Sequence, residues 1–163
     1  MKVLQIYTHI PEELQGCIDS VKAYADRVGA EYIAVTEGWD GKGVAEAWSN
    51  LVRMQFAAKH TDLLYLDWDY LLADSFEIEG SKALFGGMMD SAFWTGDDTT
   101  PFQLWLDALT LYNKEGPTAC HERARLYKIM KNHPITENRL DKSTYQHLLH
   151  HRIRRRQNVT NDR

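Results

Sequence analysis

The sequence predicts an α/β domain with a doubly wound, mostly parallel sheet and helices on both faces. In its first half, short apolar runs alternate with longer segments whose apolar residues recur at three- and four-residue steps, in the order β-α-β-α-β. The third run, residues 63–66, is continuously apolar, which is typical of a central strand covered on both faces. The helical segments are long enough for right-handed crossovers between parallel strands.

The first half is predicted to contain three strands and two helices. The strands are expected at residues 3–7, 31–36 and 63–66, and the helices at residues 11–28 and 44–59. Pro11 and the two glutamates after it suit the first turn of a helix, and Gly29 suits its end.

The second half is predicted to contain shorter elements. Strand candidates are residues 76–78, 83–85 and 92–95, and helices are expected at residues 101–114, 121–131 and 143–156. No linker interrupts the pattern, so we expect one domain over residues 1–156 and a polar tail over 157–163.

The composition is that of an ordinary globular protein. Of the 163 residues, 44% are hydrophobic and 26% are charged, and no window approaches the roughly 20 apolar residues of a membrane span. The N-terminal residues resemble a first strand and not a signal peptide, so a cytoplasmic location is expected. Cys17 and Cys120 have neither the spacing of a zinc site nor that of a disulfide framework.

The net charge of −4 is unevenly distributed. Residues 139–163 carry seven Lys or Arg against two Asp, whereas the rest of the chain is acidic. An acidic body argues against nucleic acid as the main partner. The basic residues 152–156 suit the C-terminal end of a solvated helix, and the alternative is weak contact with an anionic membrane surface.

Ligands of open α/β sheets bind beyond the carboxyl ends of the strands, so the residues that follow each strand are candidates. Thr8 follows the first strand, and Asp67 and Asp69 follow the third. Two carboxylates so spaced at a strand end can face one Mg²⁺ or Mn²⁺, which would also take phosphate oxygens. With 13 Asp in the chain, about one Asp-x-Asp is expected by chance, so its context matters.

That context resembles the glycosyltransferases with a DXD sugar-binding region on a GT-A fold. Over roughly residues 3–78 the chain offers, in the expected order, an aromatic strand end before a Pro turn, a helix with a Ser-x-x-x-Arg pattern, and a Tyr-x-Asp-x-Asp strand end. These segments are Leu4-Gln5-Ile6-Tyr7, Ser49-Asn50-Leu51-Val52-Arg53 and Tyr65-Leu66-Asp67-Trp68-Asp69.

The resemblance implies roles for these residues in binding a nucleotide sugar, UDP- or GDP-linked, with Mn²⁺ or Mg²⁺. Asp69 would ligate the metal directly, and Asp67 would bind donor hydroxyls and support the metal through water. Arg53 would contact the sugar or phosphate of the donor. Tyr7, with Thr8, would lie near the base.

Ser49 and Asn50 would complete the donor site. Each assignment has a plainer alternative: Tyr7 as a core residue and Arg53 as a surface helix residue. The acceptor hydroxyl would belong to a glycan, a lipid-linked sugar or a protein.

The sequence also departs from the family pattern. Asn50 stands where the family has Asp, Thr61-Asp62 replaces a common Gly-Gly, and the second half is short. Two alternatives therefore stay open: a binding module that keeps nucleotide-sugar affinity without transfer, and a doubly wound domain with no nucleotide.

In the second half, Trp94, Asp97 and Asp98 are sugar-site candidates, because an aromatic ring stacks on a sugar face and carboxylates bind its hydroxyls. Either carboxylate would serve as the general base of an inverting transferase. The alternative is a polar turn before the helix at residue 101.

Histidine is a further metal-ligand candidate, since GT-A enzymes commonly add a His or an acidic ligand from their C-terminal part. We favour His133 among the candidates, and the others are His121, His147, His150 and His151. His147 and His151 have the helical spacing that lets two side chains share a metal, although surface positions are the commoner fate of such residues.

Overall fold

The computed structural model describes residues 1–41, 45–72, 74, 76–86, 91–114 and 145–147. Its strands are β1 (Lys2–Ile6), β2 (Glu31–Val35), β3 (Leu63–Leu66), β4 (Tyr70–Leu72), β5 (Leu84–Gly86), β6 (Ala92–Trp94) and β7 (Tyr145–His147). Its helices are a 3-10 turn (Glu12–Leu14), α1 (Gln15–Arg27), α2 (Ala45–Ala57) and α3 (Thr100–Lys114).

A five-stranded sheet with the order β2-β1-β3-β6-β5 forms the centre of the fold. β1 pairs in parallel with both β2 and β3, as the β-α-β-α-β pattern predicts. β6 runs antiparallel to β3 and to β5, so it is reversed relative to the other four strands. The sheet is therefore mixed but mostly parallel, and the predicted fold class is confirmed.

Helices cover both faces of the sheet. On one face, α1 packs Val21, Tyr24 and Ala25 against a cluster that includes Val3 and Leu64. On the other face, α2 and α3 pack against alternate strand residues; the members of this cluster include Leu4, Ile6, Met54, Ala57, Tyr65, Phe93, Phe102 and Trp105. All four residues of β3 are buried, which explains why its sequence is apolar without alternation.

The connection into β3 uses a backbone conformation that is unusual for a residue with a side chain. Asp62 has φ of 51°, and the Lys2 amide donates to its carbonyl over 2.8 Å. Aspartate tolerates this left-handed region better than most residues with a side chain.

Two predicted elements are wrong. Residues 76–78 are not a strand, because Arg27 of α1 donates to the carbonyls of Asp74 and Phe76, and the Phe76 ring packs edge-on against Tyr24 at 5.0 Å. Within the predicted helix 143–156, Tyr145–His147 form strand β7 instead.

β7 pairs antiparallel with β4, a strand that the sequence did not predict. Each of these two strands takes its backbone partners from a segment more than 70 residues away, so local periodicity does not reveal either one. The predicted helix 121–131 and the predicted boundary between the domain and its tail lie outside the described residues. No helix in the described ranges is long and apolar enough to cross a bilayer.

Candidate functional site

The side chain of Asp67, just beyond the end of β3, is held by two partners. Arg53 of α2 places Nη1 3.0 Å from its Oδ1, and the hydroxyl of Tyr65 donates to the same oxygen over 2.5 Å. The Arg53 side chain is 3% exposed and that of Asp67 is 31% exposed. Arg53 is thus buried against the sheet and is not the surface residue of the plainer alternative.

Tyr65 completes this arrangement from the interior of β3. The Arg53 guanidinium donates to the Tyr65 hydroxyl over 3.2 Å and lies 5.1 Å from the centre of its ring. Burial raises the pKa of the Tyr65 hydroxyl well above its usual range, Arg53 opposes this shift, and the Asp67 carboxylate adds to it. Tyr65 therefore stays a neutral donor to Asp67 at any physiological pH.

The backbone of Asp67 is fixed as well. Its amide donates to the carbonyl of Ser91 over 2.8 Å, and its carbonyl accepts from the amide of Tyr70 over 3.2 Å. The hydroxyls of Ser91 and Tyr70 lie 2.7 Å apart, so β6 and β4 are joined beside the turn. The side-chain amide of Gln5 in β1 reaches the Asp67 carbonyl at 3.4 Å.

Asp69 has a different environment, although it belongs to the same turn. The residue is 8% exposed, and none of the described residues donates a hydrogen bond to its carboxylate or pairs with it as a cation. It lies near α1: burial raises the pKa of the Cys17 thiol, and the charge of Asp69 contributes to that shift. A buried carboxylate without a cation is costly, which is the environment that a bound metal ion would relieve.

The other predicted donor-binding residues differ in how deeply their side chains are buried. Tyr7 and Thr8 follow β1 at the same sheet edge as Asp67, Tyr7 half-buried and Thr8 exposed. On α2, Ser49 is half-buried and Asn50 is 6% exposed.

Asn50 precedes Arg53 by one helical turn, so both belong to the side of α2 that faces the sheet. Its Oδ1 is buried and accepts no hydrogen bond from any described residue. Asn50 Oδ1 is therefore available to accept a hydrogen bond from a ligand, and it lies toward the sheet edge where α/β proteins bind ligands.

The structure does not bring Trp94, Asp97 and Asp98 to this edge. Because β6 is antiparallel to β3, its end lies beside the start of β3, where the amide of Asp62 donates to the carbonyl of Gly96 over 2.9 Å. The length of β3 separates Asp62 from Asp67, about 16 Å at strand spacing.

These three residues instead have contacts that account for them structurally. The Trp94 indole donates to the carbonyl of Gly80 over 2.9 Å. The Asp98 carboxylate accepts the amide of Thr100 over 2.9 Å at the start of α3, which is the arrangement of a helix cap. Asp97 is exposed and donates its amide to the carbonyl of Ser81 over 2.9 Å.

Metal binding stays a prediction. Among the described residues, no group of three or more His, Cys, Asp and Glu side chains is arranged to hold an ion. His133 lies outside the described residues, as do His121, His150 and His151. The backbone of His147 is placed: in β7 it pairs opposite Tyr70, the residue that follows Asp69. His147 therefore lies in a strand, whereas its predicted pairing with His151 requires a helix.

Three residues of the site were given no role by the sequence: Gln5, Tyr65 and Ser91. Only Gln5 carried a signal, since it is a polar residue inside an apolar strand. Tyr65 has the sequence pattern of a core residue. Ser91, just before β6, reaches Asp67 only because β6 is antiparallel to β3.

The chain matches no known family of protein sequences and no curated protein. Among solved structures it matches the crystal structure of a glycosyltransferase involved in the glycosylation of the major capsid of PBCV-1. The TM-score is 0.51 and the identity 16%, over 85% of this chain and 80% of that one.

The fold is similar to that of a glycosyltransferase. At this identity the likeness concerns the arrangement of helices and strands, and it covers most of both chains.

Proposed function

We propose that this chain is a metal-dependent glycosyltransferase that uses a nucleoside-diphosphate sugar and transfers the sugar to a hydroxyl acceptor. The observation that carries the proposal is the contrast between the two carboxylates of one turn. Asp67 is fixed by Arg53 and Tyr65, whereas Asp69 is almost buried and no described residue supplies a cation. The similarity in fold to a glycosyltransferase supports the same conclusion.

The contrast suggests a division of roles. Asp69 would hold Mn²⁺ or Mg²⁺, whose charge neutralises a diphosphate leaving group. Asp67 would bind donor hydroxyls and support the ion through water. Because Arg53 already offsets one of the two negative charges, the ion would bind best together with the diphosphate of UDP or GDP.

Arg53 has a more specific role in this proposal than the resemblance gave it. Nη1 of its guanidinium bonds to both Asp67 and Tyr65, so it would position the Asp67 carboxylate. Asn50 would offer its buried Oδ1 to a hydroxyl or N–H of the donor. Tyr7 and Thr8 would lie near the base of the donor.

A second candidate is a nucleotide-sugar binding module that does not transfer. One observation favours it: Asp97 and Asp98, the carboxylates expected to activate an acceptor, lie at the opposite edge of the sheet from Asp67. The acceptor itself would be a glycan, a lipid-linked sugar or a protein.

Thermal unfolding tests both candidates. The wild type, Asp69→Asn and the control Asp97→Asn are melted with UDP- and GDP-sugars, with and without Mn²⁺. A ligand that prefers the native state raises its stability by about 2.7 kcal/mol at 100 times its Kd. We expect metal-dependent stabilisation in the wild type and in Asp97→Asn, but not in Asp69→Asn.

No response of the wild type to any donor would reject both candidates. If a donor binds, the release of free sugar from it is then measured over hours. Slow Mn²⁺-dependent hydrolysis identifies an enzyme, and binding without hydrolysis or transfer identifies the binding module.

A further inference from the structure

Gln5 is a polar side chain in the middle of the apolar strand β1, and it is 0% exposed. Its side-chain carbonyl accepts the hydroxyl of Tyr32 over 2.9 Å, and its amide donates to the backbone carbonyl of Asp67 over 3.4 Å. The side chain therefore connects β2, on one side of β1, to the turn after β3 on the other side. Burying an amide in a sheet interior is unfavourable unless both of its ends are bonded, as they are here.

Tyr32 fixes the orientation of this amide. Burial raises the pKa of the Tyr32 hydroxyl, and the neighbouring Tyr7 and Asp19 add to the shift. The hydroxyl therefore stays protonated and continues to donate to Gln5. With the carbonyl end of the amide held in this way, its nitrogen points toward Asp67, although the second bond is long.

The amide nitrogen of Gln5 bonds to the backbone carbonyl of Asp67, the oxygen that closes the turn after β3. The Asp67 carbonyl also accepts the amide of Tyr70 over 3.2 Å, and the two carboxylates of the site lie in and beside this turn. The hydroxyl of Tyr32, on the other side of β1, is thereby linked to this turn through Gln5.

We propose that Gln5 is a positioning residue for the turn that carries Asp67 and Asp69, and that the contacts Tyr32–Gln5–Asp67 couple β2 to the binding of a nucleotide at this turn. The positioning role follows from the contacts of the folded chain alone. The coupling rests on the proposed function, because it needs a nucleotide that binds at the turn.

The first experiment needs no ligand and measures amide hydrogen exchange at Asp67 and Tyr70. Gln5→Met keeps the size of the side chain and removes both of its hydrogen bonds. We expect exchange at these two amides to become about 2- to 10-fold faster, the range that corresponds to the net worth of one hydrogen bond.

The matched control is Thr95→Val. The Thr95 hydroxyl accepts the amide of Leu63 over 2.9 Å, so this substitution also removes a buried side-chain bond to β3, but at the far end of the strand. Unchanged exchange at Tyr70 in Gln5→Met would overturn the proposal. Equal acceleration along all of β3 would do so as well, since Gln5 would then stabilise only the sheet.

The second experiment measures the Kd of UDP and of GDP with Mn²⁺ for Gln5→Met, Tyr32→Phe and Thr95→Val. We expect Gln5→Met and Tyr32→Phe to bind both nucleotides about 2- to 10-fold more weakly than the wild type. Thr95→Val should bind them as the wild type does. Unaltered Kd values in Gln5→Met would overturn the coupling. If the wild type binds neither nucleotide, the proposed function and the coupling fail together, and the exchange experiment still decides whether Gln5 positions the turn.

Discussion

The guanidinium of Arg53 lies 3.0 Å from the carboxylate of Asp67, and this pair ties the last turns of α2 to the end of β3. Its two partners are unequally buried, since Arg53 is enclosed by the helix and the sheet while Asp67 is partly exposed to solvent. The pair is joined to Tyr65, which bonds to both partners.

The first prediction concerns the pair itself. Arg53→Met should lower the free energy of unfolding by about 2 kcal/mol, less than a fully buried pair would lose because Asp67 is partly exposed to water. Adding Asp67→Asn should restore part of the loss, since the amide leaves no unpaired charge. Denaturant titration of both variants measures this, and a double variant less stable than Arg53→Met would contradict it.

The second prediction concerns alkaline pH. Burial holds the pKa of Tyr65 in the folded state well above its ordinary value of 10.0, near which Tyr65 ionises in the unfolded chain. Above about pH 10 the unfolded state therefore binds fewer protons, and stability falls as pH rises. Over that range Tyr65→Phe should make the fall of unfolding free energy with pH shallower by about 1.4 kcal/mol per pH unit, one proton's worth. An identical slope in both proteins would show that Tyr65 is not the group responsible.

The third prediction concerns Asn50, where stability and binding should change in opposite directions. Asn50→Leu removes a buried acceptor that no described residue satisfies, so the free energy of unfolding should stay unchanged or rise by about 1 kcal/mol. Donor binding should weaken about tenfold, because a ligand hydroxyl loses its acceptor. Asn50→Asp is the comparison that keeps the oxygen.

Denaturant titration and donor Kd together test this prediction. A large loss of stability in Asn50→Leu, with unchanged donor affinity, would show that the residue is structural.

The fourth prediction separates helix capping from catalysis. Asp98→Ala removes the acceptor for the amide of Thr100 and should cost about 1 kcal/mol of unfolding free energy. Asp97→Ala, one residue earlier and exposed, should stay within about 0.5 kcal/mol of the wild type. Neither variant should alter donor hydrolysis, and loss of activity in Asp97→Ala would return that residue to the site.

The sequence predicted the α/β class, the helices α1, α2 and α3, and the strand that delivers Asp67. These features depend on periodicity within a dozen residues, which the chain displays directly. It did not predict β4 and β7, because each is a short segment whose partner lies far away in the sequence. The sequence resemblance to glycosyltransferases predicted donor-binding roles for Arg53 and Asn50, but it did not predict the contacts of either side chain within the fold.

The sequence by itself determined that two carboxylates follow a buried strand of a doubly wound sheet. The tertiary structure decided which residues join them there. The reversed direction of β6 sends Asp97 and Asp98 to the opposite edge and brings Ser91 to Asp67. The crossing of α2 over β3 gives Asp67 a cation, while no described residue gives one to Asp69. Strand direction and ion pairing depend on contacts between distant segments, so only the folded chain reveals them.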